Sequence, residues 1–205
     1  MLEGPGKYPL KFRAKALTPI HNDIYPAISP TAFTLTNKTV FITGRSKGIG
    51  RSMALSYALA GATHIAVGAR SPLSQLATDI EAAAKSANRS TPTFLPIQLD
   101  VTDPNSVSSA ASIVHEKFGK LDIPINNAGI IGSFGLTDDV NPDAWWDVLT
   151  TNLRGTYLVT RAFLPLLLKS ETKTIISVTS VGALLVNPNL SAYHVSEMGL
   201  LKFAQ

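Results

Sequence analysis

Thr39-Val40-Phe41-Ile42-Thr43-Gly44-Arg45-Ser46-Lys47-Gly48-Ile49-Gly50 runs from five strand-favouring residues straight into a glycine-rich turn. The β-branched and aromatic run predicts a buried strand over Thr39–Thr43, and Gly48–Leu59 then reads as a helix. Glycines let the chain turn tightly and bring its backbone close to a ligand. The free N–H groups of the helix that follows favour an anion such as a pyrophosphate. An ordinary tight turn could use the same glycines, so the neighbouring segments must decide.

Downstream, short apolar runs alternate with helical stretches. Strands are predicted at His64–Val67, Thr93–Leu99, Leu121–Asn126 and Thr174–Val178, with helices at Pro72–Ala87, Pro104–Phe118 and Pro142–Leu168. Ser71–Pro72, Asp103–Pro104 and Asn141–Pro142 each offer a capping oxygen followed by a proline suited to the first turn. Gly119 is placed to stop the third helix. Strand–helix alternation with apolar strands predicts an α/β, doubly wound, Rossmann-like fold whose sheet is mostly parallel and covered on both faces. Pro124, inside LDIPINN, would remove a ladder donor, so a local distortion is expected there. Upstream, residues 1–37 carry Pro5, Pro9, Pro19, Pro26 and Pro30 without a sustained apolar period and read as an irregular arm ahead of a domain at 38–205.

The chain has 205 residues, 45% of them hydrophobic and 16% charged, enough for one α/β domain with a core. Its net charge of +4 comes without a Lys/Arg run or interleaved aromatics, which argues against a nucleic-acid partner. Cysteine is absent, and His21, His64, His115 and His194 are scattered without ligand spacing, so no metal site is proposed. No apolar run reaches transmembrane length and the N-terminus lacks the apolar stretch of a signal peptide. A cytoplasmic protein without a membrane partner is expected.

The second informative stretch is Ser177–Leu200, SVTSVGALLVNPNLSAYHVSEMGL. Ser180 falls where a strand gives way to a loop. Ser191 is placed to cap a helix from Ala192, on which Tyr193 and Glu197 share a face one turn apart. The Ser…Tyr spacing here, with TGRSKGIG at Thr43–Gly50 and NNAG at Asn126–Gly129, resembles the short-chain dehydrogenase/reductase family. Tyr25–Thr31, YPAISPT, resembles a lead-in of its fungal members.

The resemblance covers Lys38 to the end and implies roles residue by residue. Thr43, Gly44, Arg45, Ser46, Lys47, Gly48, Ile49 and Gly50 would form the phosphate loop. Asp100 and Val101 would flank the adenine; Asn126, Ala128 and Gly129 would let the cofactor lie close. Ser180 would hold the substrate oxygen, Tyr193 would transfer the proton and Asn152 would support a relay water. Glu197 stands where the family has lysine, and a carboxylate opposes a nearby phenolate where an ammonium favours it. Family members also continue beyond the equivalent of Gln205, so relative to them the domain is C-terminally truncated.

NAD-preferring dinucleotide folds place an acid after the second strand; here stand Ala69 and Arg70, beside Arg45 and Lys47 in the phosphate loop. NADP(H) is therefore expected over NAD(H), unless Arg70 is simply solvated surface. The family implies a carbonyl or alcohol substrate and a homo-oligomer. The apolar loops Ile130–Leu136 and Val181–Leu190 suggest that the substrate is partly apolar. Three readings remain open: an impaired oxidoreductase, a non-catalytic nucleotide- or partner-binding relative, and an isomerase or dehydratase on the same fold.

Overall fold

The computed structural model describes residues 23–44, 48–185 and 187–205. The phosphate-loop residues Arg45, Ser46 and Lys47, the first part of the arm and position 186 lie outside them. Five parallel strands, β1 (Thr39–Thr43), β2 (His64–Ala69), β3 (Thr93–Gln98), β4 (Ile123–Asn126) and β5 (Ile176–Ser177), form one sheet in the order β3-β2-β1-β4-β5. The chain winds outward from β1 to β3, then crosses back to add β4 and β5 on the other side. The doubly wound prediction is correct, and the order reverses between β1 and β4.

Every residue of β1 is buried, because helices cover both of its faces. On one face, α1 (Ile49–Leu59) and α2 (Ser74–Ser86) bring Ala54, Ala58, Leu76 and Ile80 against Val40, Ile42, Ile65 and Val67. On the other, α3 (Pro104–Phe118) and α5 (Gly155–Leu167) pack Val107, Val114 and Phe163 against Phe41 and Ala66. Phe41 and Phe163 stack with ring centroids 4.2 Å apart. Small alanines on α1 let that helix approach the sheet, while large apolar side chains fill the opposite face. Leu35, near the end of the arm, packs on the first cluster, and its N–H donates to the Ala60 carbonyl.

Two caps form as expected. Asp103 accepts the Asn105 N–H, and Asn141 accepts those of Asp143 and Ala144 at the start of α4 (Pro142–Leu149). Gly119 ends α3 with φ 74°, its N–H donating to the His115 carbonyl at 2.8 Å. Ser71 does not cap α2, which starts only at Ser74. The intervening Leu73 is buried in the core first. Nor does Ser191 cap α6 (Ser191–Phe203); it is the first helical residue, and its hydroxyl accepts the Trp145 indole N–H at 3.0 Å.

The single helix expected over Pro142–Leu168 is interrupted. A π-helical turn at Thr150–Arg154 separates α4 from α5, and Asn152 lies inside it. The strand expected at Thr174–Val178 shrinks to two paired residues, although Thr174 and Val178 still donate N–H groups to the carbonyls of Asp122 and Asn126.

Pro124 does not distort β4. It pairs in register with Phe41, and the strand is buried throughout. Val178 bonds the Asn126 carbonyl, so Asn126, and Pro124 two residues earlier on the alternating backbone, face β5. Thr174 donates to the Asp122 carbonyl, so the donor that proline lacks would have met the Thr174 carbonyl, and the paired ladder to β5 begins only at Ile125. Pro96 loses no such partner. Thr93 and Leu99 donate to the β2 side, which turns Pro96 to the outer side of edge strand β3.

At the opposite end of the sheet from the glycine turn, Asp122 is almost fully buried. It accepts the Thr39 N–H at 2.8 Å and the Ser170 hydroxyl at 2.5 Å, with Lys120 at 3.4 Å and Lys38 at 3.8 Å. Burial opposes its ionisation, but the Ser170 hydroxyl, the Thr39 N–H and Lys120 outweigh it and hold the carboxyl below the usual aspartate range. A depressed carboxylate stabilises the fold above its unfolded value, and that stability is lost as pH falls through the folded one. Asp122→Ala should therefore cost about 1–3 kcal/mol at pH 7, the range for stranded buried donors. In urea melts, the gap to the parent should close as the pH is lowered below the ordinary aspartate range.

Candidate active site

The glycine turn builds one wall of a cleft. Gly44 leaves β1 with φ 106°, and a Cβ on it would come within 2.5 Å of Asn127 Nδ2. Only glycine fits there. The close neighbour is fixed in turn. Asn127 Nδ2–H donates to the Thr43 carbonyl at 2.9 Å, and the N–H groups of Asn127 and Ala128 donate to Thr43 Oγ1 at 3.0 and 3.2 Å. Thr43, expected to touch the cofactor, is buried and ties β1 to the end of β4 instead. Asn127, quoted in the NNAG run but given no role, is the residue that makes this tie. Only its position beside the strand end hinted at that.

Between the strand ends lies a cleft of about 330 Å³. Gly44, Ile49, Gly50, Arg70, Asp100, Val101, Ala128 and Gly129 line it, as the sequence reading proposed; Gly48 and Asn126 do not. Asn126 is 4% exposed, and its amide donates to Thr160 Oγ1 at 3.0 Å, so it anchors β4 to α5. Ser71, Thr102 and Thr151 also border the cleft, which the sequence reading did not foresee. Small residues dominate the floor, the first residues of α1, Ile49 and Gly50, border it, and Arg70 stands exposed at the rim. These residues fit an extended dinucleotide. Asp100 Oδ1 accepts the Thr102 hydroxyl at 2.7 Å and the Thr102 N–H at 2.9 Å, and these bonds hold its carboxyl below the usual range. The aspartate is thus oriented and ionised.

Ser180 and Tyr193, which do not line this cleft, come together around Gly182. Ser180 Oγ accepts the Gly182 N–H at 3.0 Å at the head of a 3-10 turn, Val181–Ala183. A Cβ built on Gly182 would lie 3.2 Å from Tyr193 Cε1 and 3.4 Å from Ser180 Oγ, so the turn fits between the two side chains. Asn152 is 2% exposed and fully engaged. Its Oδ1 accepts the Ile130 N–H at 2.8 Å, and Nδ2 donates to the Ile130 carbonyl at 2.9 Å and to Ser196 Oγ at 3.0 Å. Ser196 in turn donates to the Tyr193 carbonyl at 2.8 Å. Both donors of the Asn152 amide are engaged, and the residue holds the loop after β4 to the tyrosine helix.

Glu197 turns into the protein. It is 5% exposed, its Oε2 accepts the Thr179 hydroxyl at 2.8 Å, and the nearby Ser180 N–H favours its charged form. Burial pushes its carboxyl above the usual range against the pull of these two donors.

These positions can be set beside known proteins. The model of the short chain dehydrogenase family matches residues 38–205. The chain belongs to that family. It is 58% identical over 205 residues to short chain dehydrogenase pigC of Monascus ruber, covering 100% of this chain and 66% of that protein. It is 52% identical to short chain dehydrogenase tazN of Aspergillus terreus, covering 98% of this chain and 43% of the relative. The chain thus spans less than two thirds of the length of these family members. A short chain dehydrogenase from Shigella flexneri, solved in complex with NADP, superposes with TM-score 0.74 at 29% identity over 83% of this chain and 70% of its own. Another, from Mycobacterium marinum, gives TM-score 0.75 at 31% identity over 83% and 68%. No helix among the described residues is long and apolar enough to cross a membrane.

The buried carboxyl of this member of the family has a pH signature. A glutamate whose folded value is raised is protonated more readily folded than unfolded, so stability falls as pH rises through that window. Glu197→Gln removes the charge that burial penalises. It should raise the melting temperature near neutrality, and the gain should vanish below the ordinary glutamate range. Equal pH–stability curves for the two proteins would contradict the burial of Glu197.

Proposed function

We propose that this chain is an NADP(H)-dependent oxidoreductase acting on a carbonyl or alcohol, and that its turnover is slow. The observation that carries the reading is the cleft at the strand-order reversal, with Arg70 at its rim and Ala69 where an NAD-preferring fold would place an acid. A bound nicotinamide would supply the hydride chemistry. The protein's part is to bind, orient and move a proton. Gly44 and Gly50 give backbone access for the pyrophosphate, and Asp100 offers an ionised acceptor toward the adenine. Arg70 pairs with a 2′-phosphate, Ser180 holds the substrate oxygen, and Tyr193 delivers or receives its proton.

Exposed Ile131, Phe134, Leu136, Val181 and Leu184 stand on the loops around Ser180 and Tyr193 and support a partly apolar substrate. Slow turnover is inferred from Glu197, since no cation stands one turn from Tyr193 to favour proton loss. The isomerase or dehydratase reading gains nothing here, because the Glu197 carboxyl is bonded to Thr179 and borders none of the cleft. Exposed Trp146, Tyr157, Leu164, Leu168, Val195 and Phe203 along α4, α5 and α6 support a homo-oligomer built on those helices.

NADPH should bind more tightly than NADH, and Arg70→Asp should shrink the gap by about tenfold to a hundredfold, the scale of hydrogen bonds to a charged group. Cofactor-fluorescence titration checks this; equal affinities in the parent, unchanged in the variant, would refute the NADP assignment. Tyr193→Phe should lower NADPH-dependent reduction of a generic ketone by about 10²–10⁴-fold with little change in NADPH affinity. A variant as fast as the parent would remove Tyr193 from proton transfer.

A further inference from the structure

Ser180 is held from two sides. Its own hydroxyl accepts the Gly182 N–H, and its carbonyl accepts that of Ala183 at 3.0 Å, which winds the turn. From α6, Glu197 takes the Thr179 hydroxyl at 2.8 Å; that hydroxyl also lies 3.3 Å from the Glu197 carbonyl oxygen, and the neighbouring Ser180 N–H favours the charged carboxyl. The wound turn then sits against the aromatic side chains of α6, its Gly182 Cβ position 3.2 Å from Tyr193 and 3.4 Å from His194. Tyr193 and Glu197 are four residues apart on one helix face. The helix that presents the tyrosine therefore also grips the segment that presents the serine.

The chemistry of the grip is one-directional. The Ser180 segment offers Glu197 an N–H and a hydroxyl, and an N–H can only donate. A carboxyl oxygen accepts such bonds, whereas an ammonium, with three donors and no acceptor, cannot. Burial, Thr179 and Ser180 are what act on the ionisation of Glu197, and among the described residues no cation pairs with it. A buried hydrogen bond from Glu197 to the residue just before Ser180 restrains the backbone that enters the turn.

We propose that Glu197 is the positioning residue of the Ser180–Gly182 turn, holding it against Tyr193 through the Thr179 hydroxyl. The proposal rests on the reading of Ser180 and Tyr193 as the proton-transfer pair. It makes their geometry a property of the protein before any dinucleotide binds. The family's lysine, by resemblance, organises its site through the cofactor ribose; this glutamate organises the site from the substrate side.

Amide hydrogen exchange by NMR on the 205-residue chain, without dinucleotide, tests it. In the parent, the Ser180–Ala183 amides should be protected. Glu197→Leu and Thr179→Val should speed their exchange on the order of tenfold, the effect of losing a buried hydrogen bond, while β1 and α3 amides stay unchanged. Glu197→Gln keeps an acceptor oxygen and should stay within about twofold of the parent. Should Glu197→Leu not fold, Thr179→Val decides by itself. Unprotected parent amides, unchanged exchange in Thr179→Val, or a Gln variant as disruptive as Leu would each overturn the proposal. NADPH titration of the same proteins separates the two readings. Affinity that follows position 197 while exchange does not would place Glu197 at the cofactor and overturn the clamp. A parent that binds no dinucleotide, yet shows the exchange pattern, would overturn the oxidoreductase reading and leave the clamp standing.

Discussion

Thr43 Oγ1 accepts two backbone N–H groups from the chain leaving β4, and the side chain of Asn127 returns a bond to the Thr43 carbonyl. The rest of the site depends on this knot. A sheet whose strand order reverses opens a crevice where adjacent strands send their following loops in opposite directions. Left alone, those ends would splay and their N–H groups would need water. Here they satisfy each other, so Gly44 and Gly129 stay close enough to line one cleft. The crowding at Gly44, 2.5 Å from Asn127 to a would-be Cβ, is the steric consequence. Closure of the crevice and the need for glycine are one constraint.

From this knot, order passes to the tyrosine through hydrogen bonds and not through a continuous apolar core. The loop after β4 is pinned at Ile130 by both ends of the Asn152 amide. Asn152 reaches it from a π-helical turn, where one extra residue re-aims a side chain that a regular helix would point elsewhere. The Thr156 hydroxyl donates to the Asn152 carbonyl at 2.7 Å, giving that carbonyl a partner inside the widened turn. The second amide proton reaches Ser196, which reaches Tyr193. A buried polar chain of this kind specifies a geometry because each member left unpaired would be costly.

How much of this could be read from the residues depends on whether the signal was local. The order of strands and helices was legible because each buried strand is an apolar run and each turn carries its own punctuation, as at Asp103–Pro104 and Gly119. The cleft was legible through its glycines and through Arg70. Three features were not, and each is set by distant partners. Ser71–Pro72 looks like a cap, but burial of Leu73 delays the helix. Pro124 looks like a break, but β4 stays paired with β1, and the missing donor shows only in the ladder to β5, which starts at Ile125 and involves a partner far along the chain. The π turn has no local mark, because it exists to bring Asn152 to Ile130 across 22 positions of sequence.

Position 197 shows why the type of a single residue does not fix its role until its partners are known. From the sequence, a carboxylate one turn from Tyr193 reads only as the wrong charge beside a phenol. In the fold, the neighbours that meet it are donors, from Thr179 and Ser180, so an acceptor is what the local backbone requires. Burial argues against a charge at the same point and pushes the carboxyl toward its protonated form. A protonated carboxyl still has an acceptor oxygen for these donors, so the hydrogen bonds tolerate the loss of charge. The two pressures are therefore compatible: the site needs the oxygen of Glu197 more than its charge. One helical turn from Tyr193 the fold therefore sets a buried acceptor, and that acceptor holds the Thr179 hydroxyl beside Ser180.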